Sequence, residues 1–105
     1  MEIAIYKSEG YDYLDSCRTE RYSFSPIEAD SHMYHSPATG EAIGIDSSFE
    51  DSELECIIIA PEGSKLVENN IYGEMLVMPD DPQMLQAYEA LNYAKWRISG
   101  LSVKK

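Results

Sequence analysis

A chain of 105 residues that is 44% hydrophobic and 26% charged carries enough apolar side chain for one modest core, which excludes an intrinsically disordered chain. No apolar run reaches the roughly 18 residues of a membrane span, and two cysteines without a Cys-x-x-Cys spacing exclude a disulfide framework and the common zinc and redox motifs. Nineteen acids against eight bases give a formal charge of −11, which opposes direct nucleic-acid binding and favours cationic partners.

The charge is unevenly spread. Between Tyr22 and Ala94 fourteen acids meet one base, Lys65, whereas the last eleven residues hold Lys95, Arg97, Lys104 and Lys105 and no acid. Solubility alone accounts for an acidic surface as readily as recognition does. Met1-Glu2-Ile3-Ala4-Ile5 lacks the basic start and long apolar core of a secretion signal, so a cytoplasmic single domain over residues 1–105 is expected.

In chain order, Ile3 and Ile5 alternate with Ala4 and Tyr6, which predicts a strand over residues 2–7 closed by Ser8-Glu9-Gly10. Residues 11–16 read as a loop or one helical turn. Arg21 to Ser25 alternates again, with Tyr22 and Phe24 on one side. Ser25-Pro26-Ile27-Glu28 combines a capping serine, a first-turn proline and an acid three residues on, which predicts a short helix of one or two turns up to Tyr34. A strand over His32–His35 competes with it. Ser36-Pro37-Ala38-Thr39-Gly40 is a turn, followed by a strand over 41–46 with Ile43 and Ile45 inward and a polar loop anchored by Phe49.

Leu54 to Ala60 is the most apolar stretch and is expected to be the central strand. Glu53 and Glu55 point one way at its start, Leu54 and Cys56 the other, and from Ile57 both faces are apolar. Lys65 to Glu68 is a short strand, Asn69-Asn70 a hairpin turn, and Ile71 to Met78 a further strand, with Ile71, Met75 and Val77 on one face and Tyr72, Leu76 and Met78 on the other. Residues 54–78 then read as a three-stranded meander. Asp80-Asp81-Pro82 predicts a helix start, and the helix is expected to run to Ser99, with Lys95 and Arg97 in its last turn and Gly100 beyond. Met84, Ala87, Tyr88, Leu91, Ala94 and Ile98 fall in one arc of about 120°, leaving Leu85 and Trp96 on a flank. The tail 101–105 frames one more strand or frays. The fold class expected is α+β, a mainly antiparallel sheet of four to six strands with one long C-terminal helix packed on one face.

Chemistry-bearing residues are sparse. His32 and His35 would share a helix face with Asp30 or Glu28 as further zinc ligands, but on a strand they point to opposite faces. Cys17, near Arg18 and Arg21, would need a histidine to act as a nucleophile. Among the eight tyrosines, Tyr11 and Tyr13 suit a recognition surface, whereas Tyr6, Tyr22 and Tyr88 suit the core. In Glu50-Asp51-x-Glu53-x-Glu55, the second pair would project about 7 Å apart from one strand face, close to the spacing of phosphates along nucleic acid; Asp80 and Asp81 add a second acidic group. Paired-carboxylate hydrolysis needs a cleft for which so short a chain leaves little room. Phosphate-loop, dinucleotide, zincin, serine-hydrolase and calcium-loop motifs are all absent.

These features point to a non-catalytic acidic protein-interaction module, with no catalytic residue, metal or cofactor. In a finer reading it is an inhibitor occupying the basic surface of a nucleic-acid-handling protein, as anti-restriction, anti-CRISPR or toxin-neutralising proteins do. Glu50, Asp51, Glu53 and Glu55 would steer binding, with Tyr11, Tyr13 and Trp96 as anchors; no membrane is involved. Two alternatives stand beside it: a structural subunit or homodimer formed through Leu85 and Trp96, and a small enzyme using His32, His35 and Cys17.

Overall fold

The Ile3/Ile5 alternation opens a strand longer than its sequence pattern suggests. In the computed structural model, which describes residues 1–105, β1 spans Glu2–Asp12 and runs straight through Ser8-Glu9-Gly10. Gly10 does not break the strand, because its missing side chain is needed. A Cβ there would stand 2.3 Å from the Ser48 carbonyl oxygen and 2.6 Å from the Phe49 ring, so glycine permits a close strand-to-strand approach. After Asp12 the chain reverses. The Asp12 carboxylate accepts the Leu14 N–H at 2.9 Å and the Asp15 N–H at 3.2 Å, and Ser16 takes φ +51°. β2 (Cys17–Ser23) then pairs antiparallel with β1 from Asp12↔Cys17 to Tyr6↔Ser23.

The opposite edge of β1 is shared by two strands. β5 (Glu53–Ile59) occupies Glu2–Lys7, and β4 (Ala42–Phe49) occupies Gly10–Asp12. β3 (Asp30–His35) pairs outside β4, and β9 (Ser102–Val103) pairs outside β5, completing a six-stranded antiparallel sheet. A second sheet of three strands is formed by β6 (Lys65–Asn69), β7 (Gly73–Met78) and β8 (Asp81–Leu85). The single helix, α1 (Ala87–Trp96), packs between the two. Ile3, Ile5 and Ile58 from the large sheet, Leu76, Met78 and Leu85 from the small one, and Ala90, Leu91 and Ala94 from α1 form one core with Phe24 and Leu101. The β3–β4 hairpin projects from this core as an arm, giving overall extents of 49 × 26 × 21 Å. No helix is long and apolar enough to cross a membrane.

The α+β expectation holds, but several local expectations are corrected. Asp80-Asp81-Pro82 starts a strand. Its proline is tolerated because β8 is an edge strand, and Asp81 accepts the Gln83 N–H at 2.9 Å. The helix is therefore ten residues long, with Glu89 reaching back to the Gln86 N–H at 3.3 Å and Arg97 ending it at φ +56°. Leu85, expected to be spare, is fully buried in the core.

No helix forms after Pro26. The donors that would have opened it are taken across the chain, Ile27 N–H by the Ser52 hydroxyl at 2.8 Å and Ala29 N–H by the Asp51 carboxylate at 2.7 Å, and residues 30–35 are strand. Ile43 and Ile45 do not face inward; they are 62% and 47% exposed, since β4 runs out beyond the core. The 54–78 meander is displaced by one strand: β5 pairs with β1 and β9, and the second sheet begins only at β6. Asn69 accepts both the Ile71 and Tyr72 N–H groups, so Ile71 sits at a hairpin tip, 80% exposed. A bulge at Glu55 places Leu54 opposite Tyr6 and Cys56 opposite Ile5, which sends Leu54 and Cys56 to different faces.

Gly10→Ala is expected to lower unfolding stability by about 1–3 kcal/mol through overpacking against Phe49. Gly44→Ala, where nothing lies within 4 Å of the added atom, serves as its neutral control. Urea denaturation of the two variants checks this, and equal midpoints would contradict the close-approach argument.

Candidate protein-binding face

One face of β1 changes character along its length. Ile3 and Ile5 lie in the core, Lys7 and Glu9 follow, and Tyr11 ends the row. Lys7 stands opposite Tyr22 on β2 and Glu53 on β5, so its neighbours come from both flanking strands. Its ammonium lies 3.5 Å from Glu55, 3.6 Å from Glu20 and 3.8 Å from Glu9. The bulge in β5 delivers Glu55 to this position. Glu55 foremost, then Glu20, holds the Lys7 ammonium above its ordinary pKa of 10.5, while partial desolvation opposes them. One cation among these carboxylates leaves the face negative.

Tyr22 joins this group to the core. Its ring lies 5.5 Å from that of Tyr88 on α1, and its hydroxyl donates to the Glu20 carboxylate at 2.9 Å. Burial first, then the hydrogen bond to Glu20 and the Glu20 charge, push its pKa from 10.0 to about 12.

The reverse face of the same strands is closed by structural contacts. Arg21 grips Asp30 with two hydrogen bonds, 2.9 and 3.3 Å, and its guanidinium lies 4.3 Å over the Phe49 ring. The hydrogen bond from Arg21 holds the Asp30 carboxyl below its ordinary 3.8. Phe49 in turn covers Gly10 and meets His32 edge-on at 6.4 Å.

Beside the negative face runs an open groove of about 1150 Å³. β2 forms its floor through Arg18, Glu20 and Tyr22, and the β6–β7 tip with Tyr72 forms the facing wall. Tyr88, at the start of α1, closes one side. Carboxylates of Glu9, Glu20, Glu68 and Glu74 outnumber the guanidinium groups of Arg18 and Arg21 along it, and Arg21 is already held by Asp30.

The residues singled out from the sequence are only partly brought together. Glu53 and Glu55 reach the Lys7 group, but the bulge removes the even spacing expected of them. Asp51 is committed to the Ala29 N–H, and the Glu50 backbone N–H binds the Glu9 carbonyl at 2.8 Å, leaving its exposed carboxylate near the same edge. The rings of Tyr11 and Tyr13 meet at 4.9 Å, tilted by 59°, both exposed, at the far end of β1. Trp96 is 78% exposed but lies at the opposite end of the fold, where neighbouring Lys95 and Arg97 line a small concavity with Ser102 and Val103. Lys7, Glu9 and Glu20, which complete the charged face, were missed; the i, i+2 spacing of Lys7 and Glu9 was the available signal.

His32, His35 and Cys17 do not converge. The two histidines are three apart on a strand and point to opposite faces, and His35 Nδ1 lies 3.2 Å from the Gly40 carbonyl in its turn. The register Cys17↔Asp12, Asp12↔Ser47, Ser47↔His32 sets Cys17 three strand spacings from His32, about 14 Å. No group of three or more His, Cys, Asp or Glu side chains is arranged to hold a metal ion. Both cysteines are free, separated by seven positions along β1, about 23 Å. Burial raises the Cys56 thiol pKa, and Glu55 adds to it.

Tyr22 is expected to ionise with a midpoint of about 12, and Glu20→Gln to bring that midpoint part of the way back towards 10.0. Because the neutral form is the one favoured by folding, this contribution to stability is complete below pH 10 and is lost as pH rises through about 12. A residue-resolved NMR titration checks both points; a midpoint unmoved by Glu20→Gln would contradict the assignment. No protein-family model matches the chain, and comparison with curated proteins and with solved structures finds no match.

Proposed function

We propose that the chain is a non-catalytic protein-interaction module that meets a cationic surface of a partner protein with the carboxylate face around Lys7. The observation that carries this reading is the convergence of Glu9, Glu20 and Glu55 on a single ammonium, with Glu53 opposite Lys7 in the strand register. A negative face of this kind raises encounter rates with basic surfaces and disfavours acidic ones. The exposed pair Tyr11 and Tyr13 flanks it and offers apolar area at small entropic cost. Partners whose basic surface ordinarily holds nucleic acid are the finer candidates, which makes inhibition of a nucleic-acid-handling protein the corresponding role. In that role the summed potential of this one face, not a phosphate-matched row of carboxylates, provides recognition, because the bulge breaks the row.

A second reading, a homo-oligomer or complex subunit, draws support from the arm, where Met33, Tyr34, Ile43 and Ile45 are all exposed. Leu85 has no part in it, being wholly buried. Light scattering separates the two readings: a monomer at micromolar concentration favours the first, and a dimer lost on Ile43→Lys favours the second.

For the first reading, the immobilised chain is expected to retain basic proteins from a cell lysate at ~0.1 M salt and to release them towards ~1 M, as the screening length falls from about 10 to about 3 Å. Glu9→Gln, Glu53→Gln and Glu55→Gln combined should abolish retention while leaving the circular dichroism spectrum intact. Retention that ignores salt, or that survives the triple substitution, overturns the proposal.

A further inference from the structure

Strand β2 is hydrogen-bonded along one edge only. It pairs with β1, no strand lies on its other side, and none of the backbone hydrogen bonds outside the regular elements involves residues 17–23. A row of outward N–H and C=O groups is therefore available, the chemical template for adding another strand. Other edges exist, such as β3, but β2 alone forms the floor of the large groove.

The dimensions suit a short extended segment. Seven residues of β2 span about 23 Å, and an added strand would lie about 4.8 Å away, between β2 and the β6–β7 tip. Every second side chain of that segment would fall on the face that carries Glu20 and Tyr22. The groove chemistry then selects a sign. Glu9, Glu20, Glu68 and Glu74 line it; Glu9 and Glu20 share the one Lys7 ammonium and Glu74 accepts from the Ser25 hydroxyl, Arg21 is neutralised by Asp30, and with Arg18 as the one uncommitted cation carboxylates remain in excess. Tyr72 and Tyr88, 57% and 55% exposed, offer ring faces to ammonium or guanidinium groups.

We propose that β2 receives an extended, alternately basic segment of a partner protein as an added β-strand. The inference rests on the cationic-partner reading above and deepens it by naming the mode of attachment. Backbone hydrogen bonds supply sequence-independent affinity, and the carboxylate lining supplies the preference for lysine or arginine at alternate positions.

The test uses three fluorescein-labelled octapeptides: alternating Lys and Val, alternating Glu and Val, and the Lys/Val peptide with alternate backbone amides N-methylated on the hydrogen-bonding edge. Fluorescence anisotropy should show binding of the first, none of the second, and at least about tenfold weaker binding of the third. Glu68→Lys, an exposed change on the groove wall, should weaken the first by about threefold to tenfold. Hydrogen exchange with the Lys/Val peptide bound should slow amides within 17–23 and leave 30–35 unchanged. Equal binding of the N-methylated peptide, protection at 30–35 in place of 17–23, or no Lys/Val binding overturns strand addition. If salt-dependent capture of basic proteins persists in that event, the carboxylate-face reading survives by itself; if capture also fails, both fall.

Discussion

Strand β1 must satisfy two edges with three partners, and the rest of the fold follows from how it does so. Along one edge β2 pairs with its second half. Along the other, β5 takes the first half and β4 the end. Two consecutive strands can share one edge only if that edge is long, hence eleven residues in β1, and only if β4 can approach closely, hence the glycine beneath Phe49. The core then gathers at the first half, where Ile3 and Ile5 meet α1 and the small sheet. Beyond it the same face has no helix to cover it and turns charged.

The junction between those halves is where the electrostatics concentrate. Lys7 sits at the margin of the core, partly desolvated, and the carboxylates that compensate it come from three different strands. Their mutual repulsion is held in place by backbone pairing, not by the single cation, since partly exposed ion pairs contribute little net stability. On the other face Arg21, Asp30 and Phe49 form a separate unit that ties β2 to the arm. The two faces thus divide the work: one secures the sheet, and the other presents charge.

The fold class was legible from residues that alternate within one element, such as Ile3 and Ile5, whose burial follows the pattern. The failures have a common physical source. Proline after acids or serine marks both helix starts and turns or edge strands. At Pro26 and Pro82 the decision rested with distant partners, Asp51 and Ser52 in one case and β7 in the other. A bulge cannot be read from alternation, so Leu54 and Cys56 were assigned to one face although the register separates them. Of the charged face, Glu53 and Glu55 were visible as a run of acids, but their meeting with Lys7, Glu9 and Glu20 is a product of nonlocal register. The histidine pair was resolved only once the strand reading prevailed over the helical one.

The arm has one more consequence. Its backbone ladder to β1 covers only Gly10–Asp12, with the Tyr13 N–H on Asp46 and the Glu50 N–H on Glu9 beside it, and the outer strand β3 is exposed along its whole length. No residue of the hairpin belongs to the core, so its outer end is expected to fray on a free-energy scale below that of global unfolding, while its base is held by Arg21 on Asp30, by Phe49 over Gly10 and by the bonds of the Ile27 and Ala29 N–H groups. The molecule thus grades from a packed body to a limb pinned at its base and least constrained towards the turn at residues 36–40.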